Sequence, residues 1–231
     1  MDIIVTGASR GIGHELVNLL AEHDGNRVLA CARDGEKLNL LKRGSHEGSE
    51  VIPLPVDLAT ITGIRTVENS LVSHNLKPSI LINNAGFLVN KPLAELNTDD
   101  FDQIFNVNVK AVFMLVKTLL PYFEKPAHIV NIGSMGGFQG SAKFSGLSLY
   151  SAAKGAVAIL TECLAEELKD TGIKANCLAL GSAQTEMLSA AFPGYNAPLS
   201  AAEMAGFIAD FALNGHQYFN GKILPVSLST P

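Results

Sequence analysis

The sequence predicts an α/β fold built on a parallel sheet. Along its 231 residues, apolar runs of strand length alternate with longer amphipathic stretches, the pattern of successive βαβ units. Most of these runs are continuously apolar, as expected for strands that helices bury on both faces. With 47% hydrophobic residues and no linker, low-complexity segment or internal repeat, the chain is expected to form one domain over residues 1–231.

The same pattern gives seven strands and six helices. Strands are predicted at residues 2–6, 27–31, 51–55, 79–82, 127–132, 173–179 and 222–226, and helices at 11–23, 34–43, 61–74, 100–124, 149–170 and 200–213. Pro121 should kink or stop the fourth helix, and Thr171-Gly172 should end the fifth. Residues 182–200 contain small residues and prolines and predict a loop with at most a short helix, where a substrate lid tends to lie in such folds.

The composition limits the kinds of partner that this protein is expected to bind. The formal charge is −5 and no basic stripe is present, which argues against a nucleic-acid partner. The longest apolar run is interrupted by Lys117, so no membrane span is expected. The chain opens on a strand without a leader pattern, and Cys31, Cys163 and Cys177 show neither CxxC nor metal-ligand spacing. We therefore expect a cytoplasmic protein with reduced cysteines and no metal site.

The first strand ends in a glycine-rich turn. Thr6-Gly7-Ala8-Ser9-Arg10-Gly11-Ile12-Gly13 joins it to the first helix. Glycines there let a pyrophosphate approach the backbone, and the helix that follows offers free N–H groups to the phosphates. Tight strand-to-helix turns also use glycine for structural reasons alone, so this turn by itself is weak support for a nucleotide site.

Two further motifs follow in the chain. Asn83-Asn84-Ala85-Gly86 ends the fourth strand, where asparagine side chains can tie neighbouring loops together. Tyr150 and Lys154 are four residues apart on the fifth helix, so they share one face with Cβ atoms about 5–6 Å apart. A nearby ammonium favours phenolate and should lower the pKa of the tyrosine towards neutrality, as general acid–base catalysis requires. Ser134, after the fifth strand, could donate a hydrogen bond to a carbonyl oxygen.

These three motifs, in this order, resemble the short-chain dehydrogenase/reductase family over about residues 3–226. The resemblance extends to its carbonyl reductases and 3-oxoacyl-carrier-protein reductases. It implies a Rossmann-like, doubly wound fold whose seven-stranded parallel sheet has the order 3-2-1-4-5-6-7, with helices on both faces. It also implies an oxidoreductase that transfers hydride between a nicotinamide and a carbonyl or secondary alcohol carbon.

The resemblance also implies roles for individual residues. Tyr150 would donate or accept the proton, Lys154 would tune it and hold the nicotinamide ribose, and Ser134 would orient the substrate carbonyl. Asn108 would kink a helix and anchor a proton-relay water, with Asn106 as the nearest rival. The cofactor contacts implied are Gly7, Ser9, Arg10, Gly11, Ile12, Gly13, Arg33, Asp57, Leu58, Asn83, Ala85, Gly86, Tyr150, Lys154, Gly181, Ala183 and Thr185. Asp57 can equally cap a turn, and the larger part of the Asn83 assignment is structural.

The end of the second strand bears on the choice of dinucleotide. An acidic residue there would bind the ribose 2′-hydroxyl of NAD, whereas arginine accommodates the 2′-phosphate of NADP. Family alignment puts Ala32 at that position, with Arg33 beside it and Arg10 in the glycine turn. Two guanidinium groups near one dianion favour NADP(H), although each alone could be a solvated surface residue. Asp34 lies one position after the place of the ribose-binding acidic residue, and it is expected to cap the next helix instead.

The sequence departs from the family pattern at three places. Ser134 and Tyr150 are sixteen positions apart instead of about thirteen, so residues 135–149 form a longer loop in which Phe138 and Phe144 either line a pocket or pin the loop. The usual Pro-Gly after the sixth strand is Leu180-Gly181. Residues 227–231 lack the usual acidic residue and glycine pair, which puts a common tetramer contact in doubt.

Residues 101–123 are apolar on more than one helical face, which implies burial beyond one sheet face. In the resembling family two such helices build a dimer interface, so we expect a homodimer or homotetramer. Two rivals to a carbonyl reductase remain: a regulatory or scaffold protein that binds NADP without turnover, and an epimerase or dehydratase using the same site. A 3-oxoacyl thioester is one candidate substrate among the carbonyl compounds.

Overall fold

The computed structural model describes residues 1–43 and 48–228 and contains a parallel sheet of seven strands. Their order is β3-β2-β1-β4-β5-β6-β9, which confirms the Rossmann-like prediction, since β9 is the seventh strand of this sheet. Residues 229–231 of the divergent C-terminal segment lie outside the described residues. The strands are β1 Asp2–Thr6, β2 Arg27–Ala32, β3 Glu50–Pro55, β4 Pro78–Asn83, β5 Ala127–Ile132, β6 Ile173–Leu180 and β9 Ile223–Val226.

Helices cover both faces of the sheet, as predicted. One apolar cluster packs α1, α2 and α8 on one face, and a second packs α3, α5 and α6 on the other. The segment between β6 and α8 contains two short paired strands, β7 and β8, which the sequence did not predict. The helices are α1 Gly11–Ala21, α2 Gly35–Arg43, α3 Ile61–Ser73, α4 Thr98–Phe105, α5 Ala111–Leu119, α6 Ser148–Glu167, α7 Glu186–Ala191 and α8 Ala201–Asn214, and the short strands are β7 Ala183–Gln184 and β8 Leu199–Ser200.

The predicted fourth helix is broken into pieces. Asn97 and Asp100 form a reciprocal capping box at the start of α4, and a π-helical turn, Asn106–Lys110, separates α4 from α5. The helical run ends in a 3₁₀ turn, Leu120–Tyr122, which contains Pro121 and confirms the predicted stop. By length and composition alone, residues 98–122 could cross a membrane, but α5 buries one face in the core of this fold.

A buried histidine joins the amino-terminal end of β5 to its neighbours. His128 is 1% exposed; its Nδ1 lies 3.0 Å from the Ala212 carbonyl oxygen, and its Nε2 lies 3.0 Å from Nδ2 of Asn176. Since the Asn176 amide donates to Nε2, the proton of the neutral ring is on Nδ1. Burial lowers the pKa of His128 from 6.5 to about 4, so the ring is neutral at physiological pH.

This neutral histidine should make stability depend on pH. The unfolded chain takes up a proton near pH 6.5 and the folded protein only near pH 4, so the free energy of unfolding should fall as the pH drops through this window. A shift of that size corresponds to about 3 kcal/mol. In urea titrations at pH 7.5 and 4.5, His128→Gln should lose less stability on acidification than the native protein. The exposed control His23→Gln should keep the native difference, and an equal loss in both variants would contradict this role.

Candidate functional site

The loops that follow β1 and β4 are fastened together at the carboxyl edge of the sheet. The Thr6 hydroxyl donates to the Ile82 carbonyl at 3.3 Å and accepts from the Ala85 N–H at 2.9 Å. Nδ2 of Asn84 donates to the Thr6 carbonyl at 3.0 Å. The glycine-rich turn and the Asn83-Asn84-Ala85-Gly86 motif, the middle motif from here on, therefore form one hydrogen-bonded unit. Asn84 supplies much of this connection, which confirms the prediction that an asparagine side chain of this motif ties neighbouring loops together.

The glycine-rich turn is shaped to receive an anion. Gly7 and Gly11 have φ values of +70° and +53°, which favour glycine, and a Cβ on Gly13 would lie 2.1 Å from the Gly7 carbonyl oxygen. Helix α1 begins here without a side-chain cap or an acidic residue in its first turn. Its first N–H groups thus remain available to a phosphate. Ser9 and Ile12 are half-buried in the same turn.

Arg33 directly follows β2, and Arg10 lies in the glycine-rich turn that precedes α1. Arg10 and Arg33 are both exposed, and within residues 1–43 and 48–228 neither forms an ion pair. Ala32 occupies the last position of the strand. The Asp34 carboxylate accepts from the Lys37 N–H at 3.1 Å, which confirms its predicted role as a cap of α2.

Two other residues assigned to the cofactor have structural partners of their own. Exposed Asp57 accepts from the Ala59 N–H at 3.0 Å in a turn, beside the buried Leu58. Asn83 is 3% exposed and its Nδ2 donates to Oδ1 of Asn131 at 2.8 Å. The Asn83 side chain is therefore part of the sheet interior, and only its main chain is left to contact a ligand.

Lys154 lies at the centre of the site. Its side chain is buried, and Nζ donates to the Ile132 carbonyl oxygen at 2.7 Å. Burial lowers the pKa of this ammonium group from 10.5 to about 8. Nζ also lies 5.7 Å from the centroid of the Tyr150 ring and 3.7 Å from the point where a Cβ on Gly86 would lie. The lysine thus touches the tyrosine, the end of β5 and the middle motif together.

Tyr150 and Ser134 meet despite the longer loop between them. Burial raises the pKa of the Tyr150 phenol to about 12, while a hydrogen bond with the Ser134 side chain acts in the opposite direction. The predicted lowering of this pKa is wrong for the protein alone. The Lys154 ammonium donates to the Ile132 carbonyl and lies over the ring of the tyrosine, so burial outweighs its influence on the phenol.

The structure distinguishes Asn108 from its rival Asn106. Asn108 is 1% exposed in the π-helical turn, and its Nδ2 donates to the carbonyls of Ile104 at 2.8 Å and Phe87 at 2.7 Å. Its Oδ1 lies 3.2 Å from the point where a Cβ on Gly86 would lie, whereas Asn106 is only half-buried. Asn108 therefore accompanies Lys154 at the middle motif, within the π-helical turn that interrupts the predicted fourth helix.

The segment after β6 reaches back to the glycine-rich turn. The N–H of Gly181 donates to the Val226 carbonyl at 2.8 Å, and a Cβ on this glycine would lie 2.5 Å from Oγ of Ser227. Ala183 is buried in β7. Thr185 caps α7, and its methyl group lies 3.2 Å from the point where a Cβ on Gly11 would lie. The lid segment therefore begins directly above the turn.

Polar contacts hold the longer loop of residues 135–149. The Ser141 hydroxyl donates to the Phe138 carbonyl at 2.9 Å, and the Lys143 ammonium donates to the same carbonyl at 2.8 Å. Phe144 is 51% exposed, so it does not pin the loop. Phe138 is half-buried and lines a small cavity together with Ser134. Of the two aromatic residues, Phe138 is the one placed beside the site.

Known proteins are similar to this chain over most of its length. Residues 2–196 match the short chain dehydrogenase family. The chain is 30% identical to the rhamnolipids biosynthesis 3-oxoacyl-[acyl-carrier-protein] reductase of Pseudomonas aeruginosa, covering 96% of this chain and 93% of that protein. It is also 30% identical to the NADPH-dependent pterin aldehyde reductase of Arabidopsis thaliana, covering 82% and 78%.

The solved structures agree with this similarity. A short chain dehydrogenase from Burkholderia cenocepacia, in complex with NADP, superimposes with a TM-score of 0.87 at 28% identity, covering 97% of this chain and 95% of that one. The family match spans well over half of the sequence and includes the glycine-rich turn, the middle motif and the Tyr150–Lys154 pair. The chain therefore belongs to the short-chain dehydrogenase family.

Proposed function

We propose that this protein is an NADP-dependent oxidoreductase that reduces a carbonyl group, or oxidises the corresponding secondary alcohol, with Tyr150 as general acid and base. The observation that carries the proposal is the meeting of Lys154, Tyr150 and Ser134 at the edge that also holds the glycine-rich turn. The bound nicotinamide would supply or accept the hydride. The uncapped start of α1 and the glycine positions without room for a Cβ fit such a dinucleotide.

The proton chemistry follows from the state of Tyr150. Because its pKa lies above its ordinary value, the phenol carries its proton at neutral pH, as reduction of a carbonyl requires. Ser134 Oγ accepts from the Gly136 N–H at 3.2 Å, and its hydroxyl proton, which bonds with Tyr150 in the protein alone, would be donated to the substrate oxygen that gains charge. In the reverse direction the phenolate would accept the alcohol proton.

Lys154 and Asn108 would assist the proton transfer from Tyr150. The Lys154 ammonium would stabilise the phenolate left after proton transfer and hold the nicotinamide ribose. Asn108 lies at the same middle motif and would anchor the water that returns a proton. Residues 182–200, which begin above the glycine-rich turn, would form the substrate lid.

Two kinds of relative support a carbonyl substrate, since one is named as a pterin aldehyde reductase and the other as a 3-oxoacyl carrier-protein reductase. The rival proposals of a binding protein without turnover and of an epimerase or dehydratase have no observation in their favour. Tyr150, Lys154, Ser134 and Asn108 are all present and assembled, which a non-catalytic binding protein does not require. Three free cysteines support a reducing, cytoplasmic location.

Replacing Tyr150 by Phe tests the proton donor. Turnover should fall by about 10²–10⁴-fold, the usual contribution of a general acid, while the Kd for NADPH should stay within a small factor. NADPH oxidation measured at 340 nm and a fluorescence titration give the two quantities. Tyr122→Phe is a matched control, because that hydroxyl donates to Glu68 at 3.0 Å away from the site. Retained turnover in Tyr150→Phe would remove this residue from the mechanism.

Arg10 and Arg33 should make the protein prefer NADPH over NADH. A charge-assisted hydrogen bond contributes about 1.5–3 kcal/mol, so kcat/KM should favour NADPH by roughly tenfold or more. The double variant Arg10→Ala/Arg33→Ala should lose most of that preference without a comparable change for NADH. Arg65→Ala, an exposed arginine on α3, is the control. Equal or better use of NADH by the native protein would overturn the NADP assignment.

The outer faces of the long helices should form a subunit interface. Three apolar side chains on α4, α5 and α6 are largely exposed: Phe101 at 45%, Phe113 at 45% and Ile159 at 61%. Exposure of this apolar surface to water is unfavourable, and a second copy of the chain would cover it. We therefore expect at least a homodimer in light scattering. Phe113→Glu should shift the mass towards one chain, whereas Val72→Glu on α3, also at an exposed apolar residue, should not. A native mass equal to one chain would rule out this assembly.

A further inference from the structure

Three loops that adjoin the site residues are fastened to one another. Nδ2 of Asn90 donates to the Ala191 carbonyl at 2.8 Å, and the N–H of Lys91 donates to the Gly146 carbonyl at 3.1 Å. These bonds join the loop after the middle motif to the lid and to the longer loop. We name the three loops the rim segments: residues 87–95, 138–147 and 182–200.

Each rim segment is attached to the site residues. Both main-chain groups of Phe87 are hydrogen bonded to the Asn108 side chain. Phe138 shares a cavity lining with Ser134. In the lid, the Tyr195 hydroxyl pairs with Oγ of Ser182 at 3.0 Å, one residue beyond Gly181. A substrate that reaches Tyr150 would therefore lie next to these segments.

The side chains that the rim segments half-bury are mostly apolar. They provide aromatic, thioether and branched aliphatic surface, which favours contact with apolar substrate groups. The half-buried members with large apolar side chains are Phe87, Leu88, Val89, Phe138, Met187, Leu188, Phe192 and Leu199, and the half-buried polar members are Lys91, Ser141, Ser182 and Thr185.

The two lysines of the rim segments are already engaged, one in an ion pair and one in hydrogen bonds within its own loop. Lys91 and Lys143 are their only basic residues, and they contain no arginine or histidine. Lys91 Nζ lies 2.8 Å from both carboxylate oxygens of Asp100. Lys143 Nζ donates to the Phe138 carbonyl at 2.8 Å, and to the Ser141 carbonyl and hydroxyl at 3.0 and 2.7 Å. An ammonium group has three donors, so those of Lys143 are fully used within its own loop.

We propose that the substrate is an uncharged, largely apolar carbonyl compound, a proposal that rests on the function given above. A carboxylate or phosphate entering between the rim segments would lose its hydration, while the charge of Lys91 is neutralised by Asp100 and the donors of Lys143 are already used. The same segments also contain two acidic residues, Glu95 and Glu186, whose charge disfavours an anion nearby. A 3-oxoacyl thioester carried on a phosphorylated, acidic carrier protein therefore fits these segments less well than a small neutral aldehyde or ketone.

A matched pair of aldehydes tests this proposal. Benzaldehyde and 4-carboxybenzaldehyde share the reacting group and the ring and differ in one charge at neutral pH. With the full chain and NADPH, kcat/KM for benzaldehyde should exceed that for the carboxylate by about tenfold or more. Tyr195→Arg, which adds a cation at an exposed rim position, should reduce that ratio by roughly threefold or more, whereas Tyr195→Phe should keep it.

The outcomes separate the two proposals. If both aldehydes are reduced with equal efficiency, or the carboxylate is preferred, the substrate class is wrong and the oxidoreductase function stands. If neither aldehyde, nor any neutral ketone of similar size, is reduced, the function itself fails and the substrate class with it. An unchanged ratio in Tyr195→Arg would overturn the assignment of the rim segments as the substrate enclosure.

Discussion

The ammonium group of Lys154 is buried at the centre of the carboxyl edge, and the rest of the site is arranged around it. A desolvated charge needs a close acceptor, and the Ile132 carbonyl at the last residue of β5 provides one at 2.7 Å. This contact fixes α6 against the sheet and so places Tyr150, one turn earlier, beside Ser134. It also leaves the ammonium near Asn108 and Gly86, where the middle motif turns away from β4.

The helix that carries Lys154 is held by a second set of buried polar contacts. Asn83 donates to Asn131, and Nδ2 of Asn131 donates to Oγ1 of Thr161 on α6 at 2.9 Å. The Thr161 hydroxyl in turn donates to the Val157 carbonyl at 2.7 Å. Every residue in this series of hydrogen bonds is buried and has a partner. The series therefore links β4, β5 and α6 with little freedom to shift. Placement of the reacting groups thus depends on hydrogen bonds inside the sheet as well as on apolar packing.

The order of elements could be predicted from the sequence because it depends on local signals. The spacing of apolar residues distinguishes strands from helices. Pro121 marks the end of a helix without any contribution from residues distant in sequence. The π-helical turn around Asn108 and the pairing of β7 with β8 were not predicted, since both depend on partners distant in sequence, such as Phe87 for Asn108.

The same distinction between local signals and distant partners applies to the chemistry of the site. The spacing of Tyr150 and Lys154 predicted their contact, because four residues make one helical turn. The predicted direction of the pKa shift of Tyr150 was wrong. The shift depends on the burial of the phenol and on the Ile132 carbonyl, which accepts a hydrogen bond from the Lys154 ammonium group.

Isotope transfer tests the central claim most directly. With NADPH deuterated at the transferable position of C4, reduction of a neutral aldehyde should place one deuterium on the product carbinol carbon. A product without deuterium there would contradict direct hydride transfer at this site.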